Sequence, residues 1–228
     1  MLDPTKVGVV CPGMGVDGSL EDTGIPASLV TAYLGRHGII PARTTDFMVL
    51  FLFSIGITRG KWATLINTLL DFKRDYDRNA PLAEVLPALT SSYPHRYATI
   101  GLRDLGDEMF AHMKKQNQGH KLEQAFQTLP TPAVTPRKAY QRLVAGEVEL
   151  LPLDKMAKRV SAVGVLPYPP GIPVIMPGEN TGAAYAPVLS YLRTLQEWGQ
   201  HFPGFEHDVE GAQVREGTYH IYCLKSER

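Results

Sequence analysis

Apolar residues crowd most densely at residues 47–53, FMVLFLF, and the chain around that run organises the first third of the sequence. Periodicity alone does not separate a buried strand from a buried helix in so short a run. Its length, the polar Thr44-Thr45-Asp46 before it, and Ser54 and Gly56 after it point to a strand. A strand without polar alternation is expected to be covered on both faces once assembly is complete, as strands in α/β layers are. On that expectation Leu52→Asp abolishes folding, because an unpaired buried charge rivals the whole stability of a domain. The next pattern has a different period. Trp62, Leu65, Ile66, Leu69, Leu70 and Phe72 recur at three and four, opposite Lys61, Asn67, Asp71, Lys73 and Arg74, which predicts an amphipathic helix over residues 60–76.

Upstream of this centre, residues 6–11 read as a strand stopped by Pro12-Gly13. Gly24-Ile25-Pro26 opens a helix with Leu29, Val30, Tyr33 and Leu34 on its apolar face and Gly38 at a left-handed C-cap. Ile39-Ile40 suggests a short strand. The order is β-α-β-α, an α/β (α+β) arrangement with a thin layered sheet that needs further cover. Beyond Asn79-Ala80-Pro81 the pattern predicts a short helix over 82–89 and a break at Tyr93-Pro94-His95. A helix with Leu102, Leu105, Met109, Phe110 and Met113 inward follows, then a polar stretch at 114–120 and another short helix at 122–129. Thr135-Pro136 is an N-cap followed by a first-turn proline, opening a helix through Val144 that Gly146 ends. Strands are expected near 148–151, 163–166 and 174–176, with a short helix at 154–160. Tyr168-Pro169-Pro170-Gly171-Ile172-Pro173 must be extended and turning. A helix over 187–201 and a hairpin pairing 212–214 with 219–224 complete the chain, and a second α/β unit begins near Thr135.

Composition narrows the function classes. Lys plus Arg and Asp plus Glu number 23 each among 228 residues, for zero formal charge. No basic excess points to nucleic acid, and no basic amphipathic stretch points to a membrane surface. The longest apolar run falls far short of the ~20 residues that span a bilayer. The start, Met1-Leu2-Asp3-Pro4, shows no secretory pattern. Cys11 and Cys223 lie far apart without metal-ligand spacing, so a cytoplasmic protein with reduced, core thiols is expected, with no metal site.

Several stretches resemble a known family. FLFSIGITRGKWATL with LLDFKRDYDRNAPLAEVLP, and then LPYPPGIPVIMPGENTG, PVLSYLRTLQEWGQHFPGFEHDVEG and GTYHIYCLK, are similar to the late portion of the bacterial inducible decarboxylases of ornithine, lysine and arginine. These are large pyridoxal-phosphate enzymes. The resemblance covers essentially the whole chain, and ENTG, GQHFPGFEH and the Thr44-Thr45-Asp46 loop look closest to the arginine branch. It implies that residues 1–78 finish the small subdomain of an aspartate-aminotransferase-like fold, 79–134 form a helical connection and 135–228 form the C-terminal domain. It also implies an upstream cofactor-binding domain in the same or a separate polypeptide, a homo-oligomer, and conversion of arginine to agmatine and carbon dioxide with proton uptake, as in acid tolerance. Lysine and ornithine are the alternative substrates. A different reading is a stand-alone assembly or regulatory module, binding a partner through the open side of its thin sheet.

The family attaches its cofactor to the lysine of a Ser-x-His-Lys motif. The one His-Lys pair here, His120-Lys121, follows Gln118-Gly119 and is expected in a solvated turn. Pyridoxal phosphate is therefore expected in the complete enzyme and not covalently on this chain alone, since the groups that hold and tune it lie upstream. Gly56-Ile57-Thr58-Arg59-Gly60-Lys61 lacks phosphate-loop spacing and reads as an ordinary strand-to-helix turn. The resemblance places the loop 41–46 near the distal end of the substrate. Lysine- and ornithine-specific members carry glutamate where Ala42 stands, so Ala42 leaves room for a guanidinium that Thr44, Thr45 and Asp46 would accept. The alternative is that Asp46 caps a turn and the threonines form a strand edge. Glu206, Asp208 and Glu210, with His207 among them, are either acids at a channel mouth attracting a cationic substrate or a solvated loop.

Overall fold

The computed structural model describes residues 3–15, 17–169 and 171–226, so Pro170 of the proline-rich segment lies outside the described residues. Contacts divide the chain into two compact units, one ending at Lys115 and one beginning at Gln116.

The first unit runs β1 (Lys6–Val10), α1 (Ala27–Arg36), β2 (Arg43–Thr44), β3 (Met48–Leu52) and α2 (Arg59–Asp77). Its sheet is antiparallel in the order β1-β3-β2, with Val9 opposite Val49 and Thr44 opposite Val49 on the other side. Helix α1 packs on β3, and the inward residues alternate as a one-faced sheet requires. Phe47, Val49 and Phe51 are buried, while Leu52 is 55% exposed. Among the described residues the unit thus covers one face of the strand rather than two, and within this chain Leu52 lacks the cover on which the expected folding failure of Leu52→Asp rests. Helix α2 starts and stops one residue outside its predicted limits. It buries Leu65, Thr68 and Phe72, whereas Trp62, Ile66 and Leu70 face outward. Ile39-Ile40 forms no strand, since pairing begins only at Arg43.

The helix expected over 82–89 is divided. Here α3 (Leu82–Val85), α4 (Pro87–Ser92) and α5 (Pro94–Tyr97) follow one another because each proline begins a new turn and cannot continue the old one. Helix α6 (Leu102–Gln116) presents the predicted Leu102, Leu105, Met109, Phe110 and Met113 to the core. Phe110 meets Phe47 edge-on at 5.8 Å, and it fits because Gly13 and Gly24 carry no side chain. A Cβ at either position would come within 2.7 and 2.3 Å of the Phe110 ring. Tyr33 joins α1 to α2 through an edge contact with Phe72 and a 2.7 Å hydrogen bond to Asp75.

The second unit opens at a left-handed residue, Asn117, followed directly by α7 (Gln118–Gln127). His120 and Lys121 therefore lie on a helix, and the polar turn expected there is absent. Next come β4 (Thr131–Pro132) and α8 (Pro136–Val144), the latter capped by the Thr135 hydroxyl, which accepts from the Lys138 amide. After β5 (Val148–Pro152), a 3₁₀ turn at Leu153–Lys155 stands where a longer helix was predicted. The remaining elements are β6 (Leu166–Tyr168), β7 (Glu179–Asn180), α9 (Pro187–His201), β8 (Asp208–Glu210), β9 (Ala212–Arg215) and β10 (Thr218–Leu224). The strands predicted at 163–166 and 174–176 reduce to a bridge between Val165 and Ile175, with pairing displaced to β6. Three small sheets result, β5-β10-β9, β4-β7 and β6-β8. Leu189, Leu192 and Leu195 of α9 close over Ile221 and Cys223 of β10, with Val165, Ile175 and Met156 completing the core. The mixed helix-and-sheet expectation holds, and every strand pairing among the described residues is antiparallel.

Candidate functional site

The loop 41–46 is built by its neighbours. The Ala42 amide donates to the Leu50 carbonyl at 2.8 Å, which fixes the approach to β2 and leaves the Ala42 methyl exposed. The Thr44 hydroxyl shares a 2.8 Å hydrogen bond with that of Thr31 on α1. The Thr45 amide donates to the Met48 carbonyl at 2.8 Å and its hydroxyl accepts from the Met48 amide at 3.1 Å, closing a tight turn. The Asp46 carbonyl receives the Ala27 amide at the start of α1, at 2.9 Å. Its carboxyl is enclosed although the residue as a whole is only half-buried, and desolvation pushes it up to about 6. Both threonine hydroxyls thus do local structural work, whereas the Asp46 carboxyl is held in a perturbed state of the kind that gathers at functional sites.

The acidic stretch belongs to the second unit and sorts by alternation. Phe205 and Val209 turn inward, while Glu206, Asp208 and Glu210 are exposed. Glu206 turns both carboxylate oxygens back on the Gly204 amide at 2.9 Å. Asp208 and Glu210 lie on β8 opposite Tyr168 and Leu166. The Tyr219 hydroxyl sits well above its usual range because it is buried and because Glu206 and Asp208 disfavour its anion.

His207 is the residue this pattern conceals. Its ring packs edge-on against Trp198 at 5.9 Å, with Nε2 3.5 Å from the Gln118 amide nitrogen. Trp198 is itself anchored by a 2.7 Å bond from its indole nitrogen to the Phe205 carbonyl. Nδ1 of His207 is buried without a partner, and desolvation lowers the imidazole to about 4. As a member of an acidic patch alone, His207 would be solvated. The period-two alternation from Phe205 to Glu210 is the signal that turns its ring inward, although the residue as a whole is only half-buried.

The one His-Lys pair does not fit covalent pyridoxal phosphate. Lys121 Nζ on α7 donates to Thr194 Oγ1 at 2.9 Å and to Gln116 Oε1 at 3.1 Å, so its ammonium is already engaged. Gly56–Lys61 forms the ordinary turn expected, with the Ile57 amide on the Ser54 carbonyl and α2 beginning at Arg59. Burial raises the thiols of Cys11 and Cys223 to about 11 and about 12, which keeps both unreactive at neutral pH. Among the described residues no group of three or more His, Cys, Asp or Glu side chains could hold a metal ion, and no helix is long and apolar enough to cross a membrane.

Comparison with known proteins places this architecture. Residues 119–225 match the Orn/Lys/Arg decarboxylase C-terminal domain, and residues 1–61 match the major domain of the same family. The biodegradative arginine decarboxylase of Escherichia coli is 56% identical over 226 residues, which are 99% of this chain and 30% of that protein. A lysine decarboxylase of Pseudomonas aeruginosa is 42% identical over 99% of this chain and 30% of its own length. The solved structure of the constitutive lysine decarboxylase of Escherichia coli superposes with a TM-score of 0.93 at 41% identity, covering 98% of this chain and 32% of that one. The chain spans about a third of the length of the relatives it matches. With two stretches matched to two domains of one family and the fold reproduced from end to end, the chain belongs to the Orn/Lys/Arg decarboxylase family.

Proposed function

We propose that this chain is the C-terminal part of a pyridoxal-phosphate-dependent decarboxylase of basic amino acids, acting on arginine to give agmatine and carbon dioxide with uptake of a proton. The observation that carries the substrate is the higher identity to an arginine enzyme than to a lysine enzyme over the same residues. The exposed Ala42 methyl and, in the same loop, the enclosed Asp46 carboxyl support it. Bound pyridoxal phosphate supplies the electron sink for loss of the carboxylate, and the portion preceding residue 1 in the relatives would hold it. This chain supplies walls of the enzyme: residues 1–78 complete the small subdomain, 79–134 connect, and 135–228 form the C-terminal domain. Ala42, Thr44, Thr45 and Asp46 face the distal end of the substrate, and Glu206, Asp208 and Glu210 draw the cation towards the channel. The working enzyme is a cytoplasmic homo-oligomer that serves acid tolerance.

The test is complementation. The chain is co-expressed with the corresponding upstream portion of the Escherichia coli arginine decarboxylase, and the purified complex is assayed for agmatine and carbon dioxide. Arginine turnover by the pair and none by either half supports the proposal. A cofactor absorbance band on this chain alone, or turnover of lysine in preference to arginine, overturns it.

A second reading, a stand-alone assembly module, is favoured by one observation. Leu52, Ile55, Trp62, Ile66 and Leu70 all expose apolar surface on the first unit. A soluble monomer that ignores the upstream portion in co-purification would favour the module.

A further inference from the structure

The second unit encloses a ring whose hydrogen bonding is incomplete. Nδ1 of His207 is buried with no partner among the described residues. Nε2 lies 3.5 Å from the side-chain nitrogen of Gln118, itself buried on α7. An amide nitrogen only donates, so Nε2 accepts and the neutral ring carries its proton on Nδ1. That N–H meets no acceptor, an arrangement that costs stability. The edge of the ring meets Trp198, whose indole nitrogen donates to the Phe205 carbonyl at 2.7 Å. Trp198 and Gln118 both belong to the unit that begins at Gln116. Between the buried Phe202 and Val209, Gly204, Glu206 and Asp208 are exposed and Pro203 is half-buried. Phe205 and His207 are therefore the side chains that hold this short segment down.

We propose that His207 is an acid-operated latch: a proton taken up at Nε2 expels the ring from its place against Gln118 and Trp198 and opens residues 203–207, while the rest of the second unit stays folded. In the charged ring both nitrogens donate, so Nε2–H and the Gln118 amide would turn two donors on each other, and Nδ1–H would still lack an acceptor. Outside, water satisfies both. The nearest charged positions along the elements packed here are Glu206 and Asp208 on either side of the ring, Glu197 and His201 beside Trp198 on α9, and His120 and Lys121 after Gln118 on α7. None of them holds the proton in place, for burial alone lowers the imidazole from 6.5 to about 4. The closed ring binds a proton less well than the open one, so the open form gains as pH falls from 6.5 towards 4. The latch needs only the fold of the second unit and does not rest on the decarboxylase reading.

Hydrogen exchange of the full chain, followed by NMR at pH 7 and pH 4.5 and corrected for intrinsic rates, tests the latch. The Trp198 indole N–H and the Phe205 amide, which donates to the Phe202 carbonyl at 3.0 Å, report on the segment. Their protection should fall by roughly 50-fold at pH 4.5, the ratio set by an imidazole that titrates near 4 when closed and 6.5 when open. The amides of β10, in the same unit, should keep theirs. His207→Phe keeps a ring but takes no proton, and should hold the segment's protection at its pH 7 level; circular dichroism at pH 7 checks that this variant is folded. Glu206→Gln, an exposed change, should leave the fall intact. Unchanged protection in the unsubstituted chain would overturn the proposal. So would an equal fall across β10, because His207 would then act on global stability alone. A fall that persists in His207→Phe, or vanishes in Glu206→Gln, would assign the response to another group and overturn it as well.

Discussion

At the scale of single side chains, His207 and Asp46 should bend the stability curve in opposite directions. Burial lowers His207 from 6.5 to about 4, so between those values the unfolded chain holds more protons. Its contribution is intact above pH 6.5 and is lost as pH falls towards 4, by on the order of 3 kcal/mol. Asp46 is raised from 3.8 to about 6, and its contribution is intact below 3.8 and lost as pH rises through 6, by a similar amount. In urea unfolding followed against pH, His207→Gln should flatten the acid limb. Asp46→Asn should stabilise the chain by about 1–3 kcal/mol at pH 7 and change little at pH 3.5. No gain at pH 7 would mean that the Asp46 carboxylate is compensated in the fold. A gain would mark a residue kept at a cost to stability, as functional residues often are. Ala42 tests the same loop for specificity. In the complemented enzyme Ala42→Glu should lower the arginine-to-lysine ratio of kcat/KM by roughly 10- to 100-fold, through one charged hydrogen bond to lysine and lost guanidinium space. Equal losses for both substrates would leave the loop a purely structural part.

Among the elements, β3 and the Gly211 turn give the sharpest contrasts. Val49 is fully enclosed whereas Leu52 is half open, so Val49→Asp should prevent folding while Leu52→Asp costs this chain about 1 kcal/mol or less. Circular dichroism of both variants distinguishes the two outcomes. At Gly211, φ is +85° and a Cβ would stand 1.9 Å from the Gly164 carbonyl oxygen, so Gly211→Ala must push β8 away from its neighbour. A loss of roughly 3 kcal/mol or more is expected there. Gly146→Ala has the same sign of φ but open space, and should cost only about 1–2 kcal/mol; thermal unfolding of the two decides it. The long periodic elements were legible in the sequence. Helices α2, α6 and α9 carry enough turns to show their period, and the Thr135 cap is a local chemical signal. What was not legible depended on distant partners. Whether Leu52 is covered is set by what lies above the sheet, and the run 47–53 looks alike with one face covered or two. The helix over 82–89 failed for a local reason: Pro87 restarts a turn in its middle. In the candidate site the loop 41–46 was visible through family likeness, while the burial of His207 needed Trp198 and Gln118, some distance away in the chain, to be brought against it.

For the molecule as a whole, zero formal charge and a pI near 7.1 leave little mutual repulsion at neutral pH, just where the first unit exposes Leu52, Ile55, Trp62, Ile66 and Leu70. Light scattering of the isolated chain should be greatest near pH 7 and fall at pH 9 as net negative charge grows. A flat profile would show that this apolar surface does not drive association. The tryptophans make the two units separately visible. Trp62, 44% exposed, belongs to one, and Trp198, 3% exposed, to the other. Iodide should extinguish the red-shifted part of the emission and spare the rest. In a denaturant titration the quenchable fraction then reports when the second unit opens, and the colour of the Trp62 emission reports what is seated on the first.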